Sequence, residues 1–202
     1  MCESELGPIP DGWKAVRLSE VTKNIRTRVG NRTCKVLSAI NTGKLQPSEE
    51  FFTKQVFSKD ISNYILVEQN DFAYNPARVN IGSIGINDLG ITGCVSPVYV
   101  VFRVEPEYVN FFNLFIKSQS FKEEAKVRAI GSVRQAMNYS DFALIQIVYP
   151  PLYAVQEFNE IVKPLLDSIK HNEEESLKLS SIRDVLLPKL MSGELDISSL
   201  KL

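Results

Sequence analysis

The sequence predicts an α+β fold, with a domain of short strands and helices over residues 1–150 and, over residues 151–202, one long amphipathic helix followed by a short C-terminal tail. Three observations predict this division. Short apolar runs separated by turn residues fill the first part, an apolar repeat of helical spacing fills the second, and Pro150 and Pro151 stand between them. With 202 residues, of which 44% are hydrophobic, the chain is long enough for one domain with its own core and an appended element.

The predicted strands of the domain are short and end at turn residues. Residues 13–18 alternate roughly between apolar and polar side chains, as a half-buried strand does. Residues 98–104 are strongly β-branched and aromatic, which favours a strand. The remaining predicted strands are residues 35–40, 63–67, 81–86 and 143–149, and the predicted helices of the domain are residues 107–117 and 120–129.

The long C-terminal helix is predicted from two apolar stripes separated by a polar gap at residues 171–176. The gap contains neither glycine nor proline, so one continuous helix is favoured over a hairpin that turns there. From Val155 to Leu190 this helix is about 54 Å long at ~1.5 Å per residue, and Pro164 and Pro188 are expected to kink it. The surplus apolar surface predicts a partner helix, in the first place that of an antiparallel second copy. The stripes comprise Val155, Phe158, Val162, Leu165, Leu166 and Ile169, and then Leu179, Ile182, Leu186 and Leu190.

The distribution of charge indicates a phosphate-binding face, although the net charge of the whole chain is −1. Residues 23–48 contain six basic side chains and no acidic one. A local basic patch is the electrostatic footprint of a nucleic-acid surface. The alternative is a solvated loop whose charges are offset by acidic residues elsewhere in the fold. The candidate phosphate contacts are Arg26, Arg28, Arg32 and Lys54.

Two loops carry side chains that suit the reading of bases. Arginine and asparagine can make paired hydrogen bonds to guanine and adenine edges, and a glycine lets a backbone approach a phosphate closely. The alternative for each loop is ordinary turn chemistry with structural hydrogen bonds. The candidates are Tyr74, Asn75, Arg78 and Asn80 in the loop at residues 71–80, and Ser132, Arg134 and Gln135 in the loop at residues 131–138.

Sequence motifs of catalysis and of cofactor or metal binding are missing. His171 is the only histidine, which excludes histidine-based triads and His-containing zinc sites, and neither a GxxxxGK[ST] nor a GxGxxG loop occurs. Residues 75–78 (NPAR) and 149–152 (YPPL) each lack residues that the catalytic motif of amino-methyltransferases requires. We therefore expect a non-catalytic protein with no cofactor of its own.

The cysteine usage and the hydropathy predict a cytoplasmic protein that does not enter a membrane. Cys2, Cys34 and Cys94 are odd in number and form no CxxC pair, as expected of free thiols in a reducing compartment. No stretch approaches the roughly 20 apolar residues of a membrane span, and the acidic N-terminus has no apolar signal core.

Several stretches, in order along nearly the whole chain, resemble the specificity subunits of type I restriction–modification systems. The segments 7–18 (GPIPDGWKAVRL), 74–78 (YNPAR) and 93–97 (GCVSP) are similar to a target-recognition domain. The segment 150–152 (PPL) ahead of a long helix, and 186–195 (LLPKLMSGEL) at its end, are similar to the spacer helix that follows such a domain.

The resemblance implies a non-catalytic subunit that binds double-stranded DNA and recruits a methyltransferase subunit, on which S-adenosylmethionine is expected. A translocating restriction nuclease subunit is a further candidate partner. The usual subunit holds two recognition domains and two spacer helices, and each domain reads one half of a split target. This sequence has one domain and one helix, so it resembles half of such a subunit. Three alternatives follow: the chain forms a homodimer, it pairs with a different half-subunit, or it is a truncated gene product. Outside the family, a stand-alone DNA-binding regulator and an interaction module with a coiled-coil tail remain alternatives.

Overall fold

A computed structural model describes residues 1–51, 58–130 and 136–194 and has the α+β content predicted from the sequence, with a long C-terminal helix. The chain divides into two compact units, Met1–Gln156 and Glu157–Leu202. The strands are β1 (Cys2–Ser4), β2 (Gly7–Ile9), β3 (Lys14–Arg17), β4 (Lys23–Ile25), β5 (Lys35–Ala39), β6 (Leu45–Pro47), β7 (Ile65–Val67), β8 (Phe72–Tyr74), β9 (Ile84–Ile86), β10 (Gly93–Val95), β11 (Val100–Arg103) and β12 (Gln146–Tyr149). The helices are α1 (Leu18–Val21), α2 (Ser48–Phe51), α3 (Val109–Phe115), α4 (Gln119–Ile130), α5 (Tyr139–Ala143) and α6 (Leu152–Met191), with 3₁₀ turns at Val79–Ile81 and Pro106–Tyr108.

Two four-stranded sheets form the centre of the first unit. One has the strand order β4-β11-β8-β9 and is antiparallel throughout. The other has the order β6-β5-β10-β7, in which only the β5–β10 pair is parallel. Two shorter antiparallel pairs, β1–β2 and β3–β12, complete the strands of the described residues.

The two central sheets are joined at both edges. Just past β4, Arg28 bridges to Ile65 of β7, and just before β6, Lys44 bridges to Ile86 of β9. The second junction requires glycine at position 85, because a Cβ there would lie 2.4 Å from the backbone carbonyl carbon of Lys44. The eight strands therefore enclose a common interior.

That interior is filled by small and aliphatic side chains from both sheets. Leu37, Val67, Ala73, Val95 and Val101 lie in one buried cluster there. Successive side chains of a strand point to opposite faces, so the neighbours of Ala73 and Val101 point outward.

A larger aromatic core covers the outer face of the sheet β4-β11-β8-β9. Phe72 stacks on Phe102 with ring centroids 5.1 Å apart, and Phe102 lies 4.7 Å from Phe142 of α5. Phe112 of α3 and Phe121 of α4 belong to the same buried cluster. Both faces of the sheet are therefore covered, which explains why β8 and β9 are buried at every position.

Helix α6 begins directly after Pro150 and Pro151 and runs without interruption through the polar gap at residues 171–176. The continuous helix predicted from the sequence is confirmed, and the hairpin alternative is wrong. Its 40 residues correspond to about 60 Å at ~1.5 Å per residue. Pro164 and Pro188 both lie inside the helix, and the kinks expected there stay a prediction.

Several predicted strands begin later than the apolar runs indicated. The strand predicted at residues 98–104 begins at Val100, because Ser96–Tyr99 closes a turn with a 2.9 Å hydrogen bond from the Tyr99 N–H to the Ser96 carbonyl. The run at 143–149 starts at the end of α5, and only Gln146–Tyr149 is a strand. The run at 81–86 starts at the end of a 3₁₀ turn. Side-chain hydrophobicity did not distinguish strand from turn in these places, and Val98 and Ile81 at the starts of two of the runs are exposed.

Two negative findings apply to the described residues. No helix among residues 1–51, 58–130 and 136–194 is long and apolar enough to cross a membrane. The three cysteines are unpaired: Cys2 is exposed, Cys34 is half-buried and Cys94 is buried.

Candidate nucleic-acid interface

The register of the sheet β4-β11-β8-β9 brings distant parts of the chain to one end. Ile25, Val101, Ala73 and Gly85 lie in one row across the four strands. At the next row the chain leaves β4 and β8 and enters β11 and β9. We call this the loop end; it carries the segments that follow Ile25 and Tyr74 and those that precede Val100 and Ile84. Because adjacent strands are about 4.8 Å apart, the segments after β4 and β8 start about 10 Å apart.

The predicted phosphate contacts Arg26, Arg28 and Arg32 lie on the segment that leaves β4 at the loop end. All three are exposed, and none forms an ion pair with any residue that the structure describes. Arg28 donates a hydrogen bond of 3.2 Å to the side-chain oxygen of Asn63. Val29, which lies between Arg28 and Arg32, is buried, and its N–H bonds to the Tyr64 carbonyl at 2.9 Å. The backbone is therefore fixed by pairing, whereas no carboxylate among the described residues holds the exposed guanidinium groups.

The loop after β8 contains three predicted base contacts in different situations. Arg78 is exposed and has no ion pair within residues 1–51, 58–130 and 136–194. Asn80 is half-buried in the 3₁₀ turn. Asn75 is also half-buried, and its amide oxygen accepts the Ala77 N–H at 3.1 Å. For Asn75, the turn chemistry that the sequence left open is present, so Arg78 is the best-placed residue of this loop for contacting a ligand.

The predicted contact by Tyr74 does not agree with the structure. Its side chain is completely buried, with its ring 5.5 Å from that of Phe142. The alternation along β8 is the cause: Ala73 points into the interior between the sheets, so Tyr74 points into the aromatic core. Burial raises the pKa of the Tyr74 phenol well above its ordinary value. Tyr74 is therefore a core residue rather than a surface residue.

The second predicted base-reading loop falls partly outside the described residues. Ser132, Arg134 and Gln135 lie outside them, as does Lys54 among the predicted phosphate contacts. The residue at the far side of that loop, Met137, is buried, and its N–H bonds to the Pro76 carbonyl at 3.0 Å. The C-terminal end of the second loop is therefore held against the first loop, although 61 positions separate Met137 from Pro76.

Sequence reasoning missed one exposed element of the loop end, the turn at Ser96–Tyr99. Val98 at this turn is 64% exposed, although the sequence pattern predicts a strand there. Ile81, at the end of the 3₁₀ turn in the neighbouring loop, is 69% exposed. The Ser96-Pro97 pair is a turn signal that gives a warning against extending the strand to Val98.

The opposite end of the same sheet is closed by an ion-pair network, and we call it the ion-pair end. Arg103 donates from Nε to the buried carboxylate of Asp71 at 2.6 Å and from Nη2 to Glu68 at 2.7 Å. Asp71 also accepts the Glu68 N–H at 2.8 Å. These contacts, with Asp71 first, raise the pKa of Arg103 above its ordinary value. The buried side chain of Asn87 donates to the carbonyls of Val67 and Ile91.

Helix α6 offers a second candidate surface, for a partner helix. Of the apolar residues predicted to face a partner, Val155 is wrong: it is buried in the aromatic core of the first unit. Phe158 and Val162 are half-buried. The remaining ones at which the structure leaves a large exposed fraction are Leu165, Ile169, Leu179, Ile182, Leu186 and Leu190.

Candidate chemistry of other kinds is scarce. Within the part of the chain that the structure describes, no three histidine, cysteine, aspartate or glutamate side chains lie close enough to hold a metal ion. The exposed side chains described above at the loop end are cationic, as in Arg26 and Arg78, or apolar, as in Val98. This combination suits contact with a polyanion that also carries apolar groups.

No protein-family model matches the sequence. Among curated proteins, the MjaIX specificity subunit of a type I restriction enzyme from Methanocaldococcus jannaschii is 37% identical over 216 residues, covering 95% of this chain and 46% of the relative. The HindI specificity subunit of a type I restriction enzyme from Haemophilus influenzae is 23% identical, covering 93% of this chain and 42% of the relative. The chain therefore spans about half the length of the curated relatives it matches.

Two solved structures share the fold. A chain solved for the complex assembly and conformational transition of a type I restriction–modification system aligns with a TM-score of 0.60 at 16% identity, over 96% of this chain and 52% of that one. The specificity subunit of a type I system from M. genitalium aligns with a TM-score of 0.57 at 16% identity, over 89% of this chain and 46% of that one.

Proposed function

The chain belongs to the specificity subunits of type I restriction enzymes, of which it matches about half the length, and from this premise we propose that its first unit binds one part of a DNA target. The observation that carries the proposal is the set of exposed arginines at the loop end, which have no carboxylate partner in the described residues. Lone guanidinium groups on a rigid backbone suit phosphate oxygens, which accept paired hydrogen bonds from arginine. We further propose that this binding takes place in the cytoplasm, as the sequence predicts.

In the proposed DNA binding, one set of side chains contacts phosphates and a second set contacts bases. Arg26, Arg28 and Arg32 contact phosphates, which position the domain without reading sequence. Arg78, with Asn80 beside it, reads base edges. The predicted roles of Lys54 in phosphate contact and of Ser132, Arg134 and Gln135 in base contact belong to the same proposal.

Titration of the full chain with labelled duplex DNA at several salt concentrations tests DNA binding. Phosphate contacts release counterions, so the logarithm of the binding constant should fall linearly as the logarithm of the salt concentration rises. A randomised duplex pool should also yield a preferred site after selection. Binding that is insensitive to salt, or absent at low salt, would contradict the proposal and favour an interaction module without a DNA ligand.

We also propose that this chain is not itself catalytic. A methyltransferase subunit would supply S-adenosylmethionine and the methyl transfer, and a restriction subunit would join as a further partner. Calorimetry of the isolated chain with S-adenosylmethionine should give no stoichiometric heat. Co-expression with the methyltransferase subunit of a type I system should give a complex that survives gel filtration, whereas a stand-alone regulator would remain apart.

We also propose that α6 pairs with the α6 of a second copy in antiparallel orientation. The polar gap at residues 171–176 then lies at the twofold axis, and Leu165 and Ile169 of one helix approach Leu179 and Ile182 of the other. A twofold interface makes each contact twice, so one substitution acts twice. Two separated apolar stripes with an uninterrupted helix between them support this arrangement.

Light scattering at micromolar concentration tests the pairing. The wild-type chain should have the mass of a dimer, and Ile182→Glu with Leu186→Glu should give a folded monomer. Lys163→Gln with Lys178→Gln makes the net charge more negative by the same two units, so it is a matched control and should leave the dimer intact. A wild-type monomer would assign the exposed stripe to a methyltransferase subunit or to a different half-subunit instead.

A further inference from the structure

The turn Ser96–Tyr99 occupies the middle of the loop end. Its strand β11 lies between β4 and β8, since Val101 pairs with Ile25 on one side and with Ala73 on the other. The turn therefore emerges with the Arg26 segment about 5 Å to one side and the segment leading to Arg78 about 5 Å to the other, one strand spacing each way.

The turn is rigid, and its exposed corner is apolar. The hydrogen bond from the Tyr99 N–H to the Ser96 carbonyl closes it, and Pro97 fixes one backbone dihedral angle at its second position. Tyr99 packs against the buried cluster between the sheets, which anchors the turn from below. Val98 is nevertheless 64% exposed at a position where turns favour glycine, asparagine, aspartate or serine.

An apolar corner flanked on both sides by cationic side chains has a defined match in duplex DNA. In the proposed binding, Arg26 on one side holds a phosphate and Arg78 on the other side reads a base edge, so the corner between them faces the floor of a groove. In the major groove, the one apolar group that a base presents is the 5-methyl of thymine, and aliphatic side chains contact it. The minor groove presents no such group.

We propose that Val98 is a specificity-determining residue that favours thymine at one position of the DNA target by packing against its 5-methyl group in the major groove. This inference rests on the proposed DNA-binding function. It assigns a role in selectivity, and not in overall affinity, to a residue that carries no charge.

The closing experiment uses the full chain and the duplex site that it selects from a randomised pool. Each thymine of that site is replaced in turn by uracil, which differs only by the missing methyl group. At one position the wild-type chain should bind about fourfold more weakly, the factor expected for burying one methyl-sized group. The Val98→Ala variant should bind thymine and uracil equally at that position.

Two control variants separate this role from general effects. Ile91, which is 38% exposed and adjoins Asn87 at the ion-pair end, supplies Ile91→Ala, and this variant should keep the full preference for thymine. Val98→Thr, which keeps one methyl group, should keep part of the preference. A thermal melt of each variant by circular dichroism shows that the fold is intact.

The outcomes distinguish the inference from the function on which it rests. Salt-dependent binding to a selected site with no sensitivity to uracil, or with the same sensitivity in Val98→Ala, would overturn the role of Val98 and leave DNA binding in place. A selected site without thymine would overturn it as well. Failure of the chain to bind any duplex at low salt would remove the proposed function, and the role of Val98 with it.

Discussion

Two ends of one antiparallel sheet use arginine in different ways. At the ion-pair end, Arg103 is bound to Asp71 and Glu68 by hydrogen bonds of 2.6 to 2.9 Å, and Asp71 is buried. At the loop end, Arg26 and Arg78 are exposed and have no acidic partner among the described residues. An arginine that neutralises a buried carboxylate stabilises the fold, whereas one that is exposed without a partner contributes little to stability and is available to a ligand. The comparison therefore separates structural cations from candidate binding cations within one sheet.

The largest expected effect is on the ion-pair end. Arg103→Ala leaves the Asp71 carboxylate buried without its cation, and we expect the free energy of unfolding to fall by about 3 kcal/mol, at the low end for a buried pair because Arg103 is partly exposed. Urea unfolding followed by circular dichroism measures it. The salt dependence of DNA binding should not change in the fraction that stays folded. A loss below about 0.5 kcal/mol, which is the range of ordinary surface substitutions, would show that Arg103 does not stabilise the fold.

The second prediction concerns a variant that lacks all three proposed phosphate contacts of the loop end. The triple change of Arg26, Arg28 and Arg32 to glutamine should reduce the slope of the logarithm of binding against the logarithm of salt concentration by about 2.7. Between 50 and 200 mM salt, the variant should lose about 40-fold less affinity than the wild type loses.

The matched control for this variant removes the same charge elsewhere. Lys14, Lys163 and Lys178 are exposed, and their triple change to glutamine should leave the slope unaltered. Equal effects of the two triple variants would show that net charge, and not the loop end, attracts DNA. The unfolding free energies of both variants should stay within about 0.5 kcal/mol of the wild type.

The third prediction tests whether Arg78 contacts bases while Arg28 contacts phosphates. Arg78→Ala should weaken binding to the selected site by about tenfold, as expected for loss of a base contact worth about 1–3 kcal/mol, and should change binding to random duplex much less. Competition between labelled selected and random duplexes measures both. Arg28→Ala should weaken the two equally. A uniform loss from both substitutions would contradict the assignment of Arg78 to bases.

The smallest expected effect concerns the core residue beside the loop end. Tyr74→Phe keeps the ring that packs on Phe142 and removes a hydroxyl that has no hydrogen-bond partner among the described residues. Loss of a buried polar group without a partner is nearly neutral, so the unfolding free energy should change by less than about 1 kcal/mol. DNA affinity should be unchanged within about twofold, because this conservative change leaves the exposed surface as it is. A large loss of affinity with an intact fold would return Tyr74 to the DNA surface.

The sequence by itself determined the features that depend on neighbours along the chain. Pro150 and Pro151 followed by an apolar repeat predicted the start of α6, and a polar gap of helix-forming residues predicted that the helix continues. The basic segment at residues 23–48 predicted where exposed arginines lie. Resemblance of short segments predicted the family, since these segments match in order along the chain.

Only the tertiary structure decided which end of the sheet each side chain belongs to. Strand pairing placed Arg26 and Arg78 at one end and joined Arg103 to Asp71 across 32 positions at the other. It also turned Tyr74 into the core, because an extended chain alternates its faces and a shift by one residue exchanges inside and outside. Nothing local distinguishes a tyrosine that faces helices from one that faces solvent. The physical reason is that local spacing determines helices and turns, whereas register between distant strands determines surfaces.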